Sequence, residues 1–245
     1  MKHFVKIMSA MLILAAVSCT KNQTVGDGHV AFEVSNNQNV TDVLTRSQVS
    51  DYTALPSAGD FTLTILDASS AQVWAGKVSE WDPSRQLPAG NYSVTAEYGS
   101  LEEEGFDKPY FTGTQTFVVQ GGQVTKVSIP VSLGNTVVKV SCSDIFKEYF
   151  KDYTFSIVRS TTTLATFVKG ETRAAFVDGY KFTVNYVLQG ETQKYESSLS
   201  EFTGLKAATA YTIHFDVPEV GGKAITVKFN DTVEQIDLGN YELND

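Results

Sequence analysis

The sequence is poor in the residues on which protein chemistry most often depends. Its 245 residues include two cysteines and three histidines, and 19 basic residues face 28 acidic ones. The one extended apolar run, Ile7 to Val17, is broken by Ser9 and is 11 residues long. Each shortage excludes something. Two cysteines cannot brace a disulfide-rich fold. The acidic balance disfavours phosphate backbones, so no nucleic-acid partner is expected. A run of that length is too short for a membrane-spanning helix, which needs roughly 20 residues.

The run fits the apolar core of a signal peptide, with Lys2 and Lys6 before it. Leu14-Ala-Ala-Val-Ser-Cys19 resembles the bacterial lipobox, in which cleavage precedes the cysteine and the lipid is attached to it. Residues 1–18 are therefore read as a lipoprotein signal peptide and Cys19 as the lipidation site. Cleavage removes two basic residues and no acidic ones, which takes the net charge from −9 to −11. No polybasic patch assists binding to anionic lipid. The lipid alone must hold the membrane, at ~0.8 kcal/mol per buried CH₂. Residues 19–28 read as a polar tether. They lack the acidic cluster that marks surface export in some lipoproteins, so an outer-membrane location leaves both the cell surface and the periplasmic face open.

From residue 29 the pattern alternates with period two. Val30, Phe32 and Val34 share one face; Phe61, Leu63 and Ile65 begin another strand; Tyr92, Val94, Ala96 and Tyr98 share a third face. Short strands at 8–15-residue spacing predict a β-sandwich. The pattern restarts near Gly134-Asn135. Asp60–Ile65 recurs as Asp152–Ile157, Tyr92–Tyr98 as Tyr180–Tyr186, Phe111-Thr-Gly113 as Phe202-Thr-Gly204, and Thr125–Val131 weakly as Tyr211–Val217. The offsets of 92, 88, 91 and 86 follow chain order and indicate a tandem repeat. The fold class expected is all-β, with antiparallel sandwiches over 29–133 and 134–245. A helical turn is predicted in the second, where Ser143-Asp144 precedes Ile145, Phe146, Tyr149 and Phe150. A closing hairpin is expected from Ala224–Phe229 and Val233–Leu238 around Asn230-Asp231.

No motif for catalysis or cofactor binding occurs: no HExxH, no Gly-x-Ser-x-Gly elbow, no phosphate-cradling glycine loop and no paired cysteines. No enzymatic activity, cofactor or metal is expected. His29 and His214 fall on the polar phase of their strands and read as solvated. Cys142, in phase with Val138 and Val140, reads as a small buried hydrophobe. Glu102-Glu-Glu-Gly-Phe-Asp-Lys-Pro-Tyr110 could offer oxygens to calcium, but its spacing matches no calcium loop. It reads better as a solvated acidic loop pinned by Phe106 and Tyr110. Among the aromatics that could stack on a sugar, Trp81 in Glu80-Trp-Asp-Pro83 is expected to be exposed. Trp81 and Tyr110 are the candidate ligand contacts. Asp231-Thr-Val233 resembles a short O-glycosylation signal.

Several strings carry a family resemblance. These are the lipobox ending in Cys19, Gly28-His-Val-Ala-Phe-Glu-Val34, Asp60-Phe61, Leu87-Pro-Ala-Gly-Asn-Tyr92, and Phe106-Asp-Lys-Pro-Tyr-Phe-Thr-Gly113. With them the chain resembles the fimbrillin-like lipoproteins of Gram-negative gut anaerobes, in a branch known only as a domain of unknown function of the DUF4493 type. The resemblance implies tandem transthyretin-like sandwiches and a role in adhesion or surface assembly, as a fimbrial subunit or anchor. It also implies proteolysis after an arginine beyond the first strand, followed by strand addition from a neighbouring subunit. Arg46 in Val43-Leu-Thr-Arg-Ser47 occupies that place. A monomeric binding lipoprotein, for example one that takes a glycan, is the alternative.

Overall fold

The computed structural model describes residues 26–42, 46–217, 224–229 and 232–237. The signal peptide, Cys19 and the Asn230-Asp231 turn lie outside these residues. In the first half the strands are β1 (Asp27–Asn36), β2 (Asn39–Asp42), β3 (Arg46–Gln48), β4 (Thr62–Asp67), β5 (Gln72–Lys77), β6 (Gln86–Pro88), β7 (Gly90–Tyr98), β8 (Gly105–Phe106), β9 (Phe111–Val119) and β10 (Val124–Leu133). The second half has β11 (Thr136–Cys142), helix α1 (Asp144–Tyr149), β12 (Asp152–Arg159), β13 (Thr162–Val168), β14 (Ala175–Val177), β15 (Lys181–Gln189), β16 (Lys194–Ser198), β17 (Phe202–Thr203), β18 (Thr209–Asp216), β19 (Ala224–Phe229) and β20 (Thr232–Asp237).

The alternation seen in the sequence becomes burial. Leu63 and Ile65 of β4 and Tyr92, Val94 and Ala96 of β7 point into a core, while Thr62 is exposed and Thr64 and Ser93 are half-buried. The short helix forms where the capping residue predicts it, because the Ser143 hydroxyl accepts the Phe146 N–H at 3.1 Å. Its Phe146 is fully buried.

The chain makes two tandem sandwiches. In the first, β5-β4-β7-β9 faces β10-β1-β6, and the two sheets are joined only where Ser132 and Leu133 pair with Thr112 and Phe111. In the second, β13-β12-β15-β16, with β17 also on β15, faces β18-β11-β14, and β19 and β20 extend the latter sheet. Most pairings are antiparallel. Three are not: β2 runs parallel to β18 between the halves, and within the first sandwich β1 runs parallel to β10, with Val30 beside Thr125 and Val34 beside Ile129. Likewise β11 runs parallel to β18, with Val138 beside Tyr211 and Cys142 beside Phe215.

These registers fix the repeat at residue level. The shared parallel pairing makes β18 the counterpart of β10, and with the sequence offset of 86 Val30 corresponds to Val138 and Phe32 to Val140. The pairs Ile65↔Val94 and Ile157↔Val184 move the second match to an offset of 90, two residues on from the sequence match and on the same face. The third match needs a larger correction. Phe202 lies opposite Phe182 as Phe117 lies opposite Tyr92, so its counterpart is Phe117 and not Phe111. An even slip preserves the period-two pattern, which is why the strings matched in the wrong register.

The sheet β18-β11-β14 is buried on both faces where the halves meet. Val138, Ala175 and Val177 belong to the second core, whereas Val137, Phe176 and Ala210 belong to the first. The first half also lends two segments to that sheet: β8 pairs with β14, and β2 pairs in parallel with β18 at Thr209 and Ala210.

Trp81 corrects the expectation of an exposed aromatic, since only 8% of it is accessible. Its indole N–H donates to the Val30 carbonyl at 2.9 Å, and its ring stands edge-on to Phe32 and Trp74 at 5.1 and 5.0 Å. It follows a 3₁₀ turn at Val78–Glu80 that turns the side chain inward from the loop. It thereby covers β1 just past the point where β6 stops pairing with it at His29. Trp81→Ala leaves both a cavity and an unmet carbonyl and is expected to cost about 3–5 kcal/mol in urea unfolding. A loss below about 1 kcal/mol would contradict this placement.

Candidate functional site

The acidic loop is not a free surface feature. Glu104 enters the junction, where its side chain is 7% exposed and pairs with Arg159 of β12. Glu104 also accepts the Asp178 N–H at 2.6 Å. Arg159 donates in addition to the Asp178 carbonyl at 2.7 Å and the Lys181 carbonyl at 2.9 Å. Next to it, Phe106 stands edge-on to Phe167 at 4.9 Å, and the Arg173 guanidinium lies 4.5 Å from the Phe106 ring centre. Arg173 is shared between Asp107 at 2.9 Å and Glu171 at 2.8 Å. This holds the Glu171 carboxyl down to about 2, chiefly through the hydrogen bonds that Arg173 donates to it. Gly105 permits the approach: its φ is +128°, and a Cβ there would lie 2.6 Å from the Leu164 carbonyl oxygen. The expected solvated loop is therefore a latch between the sandwiches. Its partners lie more than 50 residues away in sequence, so no local string could have revealed them.

Tyr110 is half-buried and already engaged. Its hydroxyl donates to Glu97 at 2.5 Å, and its N–H donates to the Asn135 side chain. Burial and that carboxylate raise the pKa of the phenol. With Trp81 in the core, the two candidate sugar contacts do not come together on a surface. His29 and His214 are half-buried as well. His214 shares a 2.8 Å hydrogen bond with Ser141, and the Nδ1 atom of His29 is shielded without a partner.

The candidate assembly site is the seat of β1. Eight residue pairs join β1 to β10 and three join it to β6. Val30 and Val34 enter the core, and Phe32 packs against it. The chain then passes through β2 to β3, whose first residue is Arg46. β3 pairs with β2, with Arg46 opposite Thr41. The cysteine sits elsewhere. Cys142 is half-buried on β11, and burial pushes its thiol up to about 12, well away from a reactive thiolate. Among the described residues no group of three or more His, Cys, Asp or Glu could hold a metal, and no helix is long and apolar enough to cross a membrane.

What the fold defines is a tandem β-sandwich protein in which the first strand of each repeat runs parallel to a late one, β10 in the first and β18 in the second. The chain belongs to the family described as a domain of unknown function, DUF4493, whose profile matches residues 26–239. Solved structures similar to it include a candidate cell adhesion protein of Bacteroides eggerthii (9% identity, TM-score 0.48, 88% of this chain and 98% of that one). Others are a fimbrial assembly protein of Parabacteroides distasonis (9%, 0.47, 86% and 99%) and the fimbrial anchor protein Mfa2 of Porphyromonas gingivalis (9%, 0.36, 85% and 98%). No curated protein matches the chain.

The latch has a measurable consequence. Arg159→Met strands the Glu104 carboxylate in the junction and is expected to cost about 3 kcal/mol, whereas Glu104→Leu combined with Arg159→Met should recover most of that loss. Unfolding curves of the two single variants and the double variant provide the check. Strictly additive losses would show that the pair does not act as one unit.

Proposed function

We propose that the chain is an exported cell-envelope protein with a structural or adhesive role, tethered through a lipid on Cys19 and joined to other subunits by strand addition. The observation that carries this reading is the seat of β1. That strand lies between β10 and β6 and fills the core with Val30 and Val34. Its departure would leave two strand edges and an apolar channel. A strand with alternating apolar residues from another copy meets both needs: its main chain satisfies the edges and its side chains set the register.

Arg46 stands at the boundary that such an exchange requires. Cleavage after it, one residue into β3, would sever β2 from the rest of β3, so that β1 and β2 leave as one piece. Because β2 also pairs with β18, the same cut would unpair the second sandwich at Thr209 and Ala210. Processing would then act on both sandwiches. A polymerised subunit loses residues 19–46 and the lipid with them, whereas an anchor keeps both.

Whole cells that carry the intact gene, blotted from unboiled and boiled samples, test this directly. The expected result is a ladder that collapses on boiling, because strand-exchanged polymers resist detergent until heated. The boiled band of a subunit runs short by residues 19–46, and Arg46→Ala returns it to the full mature size. One band of mature size, boiled or not, would refute polymerisation under those conditions.

A further inference from the structure

A cavity of about 510 Å³ opens on the flank of the second sandwich, between β11 and the connection from β13 to β14. Val140, Cys142, Tyr153, Phe155 and Phe167 give it an apolar lining. Lys139, Lys147 and Lys169 stand around it. Lys147 pairs with the exposed Asp144, but among the described residues Lys139 and Lys169 form no ion pair. The acidic residue in the lining, Glu171, is held by Arg173. In a chain of net charge −9, Lys147 and Lys169 beside this apolar cavity, with Lys139 at its edge where its ammonium lies 5.7 Å over the Tyr52 ring, create a local positive field. The Cys142 thiol, pushed up to about 12 by burial, stays neutral and does not cancel it.

The first sandwich shows what this flank accommodates. There the connection from β5 to β6, residues 78–85, carries Trp81 onto the Val30 carbonyl and the Phe32 ring. The equivalents in the second sandwich are Val138 and Val140. Its connection, residues 169–174, contains no aromatic residue. Across from Ile157 stands Ala165, where Ile65 in the first copy faces Trp74. Past Val138, β14 no longer pairs with β11, so among the described strands nothing covers that edge from Lys139 to Cys142. The flank that an indole closes in one copy is open in the other. Its volume lies in the range of small-molecule sites, about 300–1,000 Å³.

We propose that this cavity binds a small, flat-ringed organic anion, with its ring against Val140 and Cys142 and its carboxylate or sulfonate held by Lys169, with Lys139 at the edge of the cavity adding to the positive field. The site would give the protein a ligand-binding function in addition to assembly, and it does not depend on strand exchange or on cleavage at Arg46.

Calorimetric titration of the full-length protein with 1-naphthaleneacetate, and with its neutral analogue 1-naphthalenemethanol, tests the site. The acetate should bind about tenfold more tightly than the alcohol, and raising NaCl from about 0.05 M to about 0.5 M should erase most of that difference. Lys139→Glu combined with Lys169→Glu should weaken the acetate by about tenfold or more while leaving the thermal midpoint near that of the parent. Thr172→Trp, which places an indole in the connection as in the first sandwich, should block both ligands. The proposal is overturned if the acetate gives no saturable binding, or if the two ligands bind equally at low salt. The salt comparison needs no variant and stands even if one of them fails to fold.

Discussion

Both sandwiches depend on a parallel contact between the first strand of the repeat and a late one. β1 lies along β10 from His29 to Asn36, and β11 lies along β18 from Val137 to Cys142. Parallel neighbours cannot be joined by a tight turn, so the chain must lay down every intervening strand before β10 or β18 returns beside the first. Neither parallel contact can form until the intervening strands are in place, and the contact is long-range by construction. The same geometry makes the first strand separable. It is held by main-chain bonds and by a row of apolar side chains, and it is covalently continuous with the rest only through the segment that carries Arg46.

The two repeats are not independent beads. One sheet, β18-β11-β14, supplies Val138 to one core and Val137 to the other. Glu104 and Arg159 then tie the acidic loop of the first repeat to β12 of the second. β2 rests on β18 beside the parallel contact. A disturbance at β1 therefore has a short route into the second sandwich, through β2 and the shared sheet. The contrasting flanks of the two copies follow from a small change in sequence. A connection with a tryptophan closes the edge of β1, and one without it leaves the edge of β11 open.

Much of this was legible in the sequence because the relevant physics is local. Period-two alternation located the strands, Ser143 located the helix, and repeated strings located the second sandwich. What could not be read was partnership at a distance. Alternation does not tell a parallel neighbour from an antiparallel one, so the pairing of β1 with β10 was invisible. Trp81 sits in a polar, turn-like string, and its burial depends on a carbonyl 51 residues earlier. Glu104 looked solvated because its arginine lies 55 residues further on. Phe202 was matched to Phe111 because amphipathic strand strings look alike at any even slip.

The most direct measurement is complementation of the first strand. A chain beginning at Ser47 is titrated with a synthetic peptide of residues 27–42, and unfolding in urea is followed with and without it. If the parallel seat of β1 organises the fold as described, the truncated chain unfolds at much lower urea, and one equivalent of peptide restores a steep transition near that of the intact protein. A truncated chain that unfolds like the intact one and ignores the peptide would show that β1 is an ornament on the sandwich, and that no exchangeable seat exists.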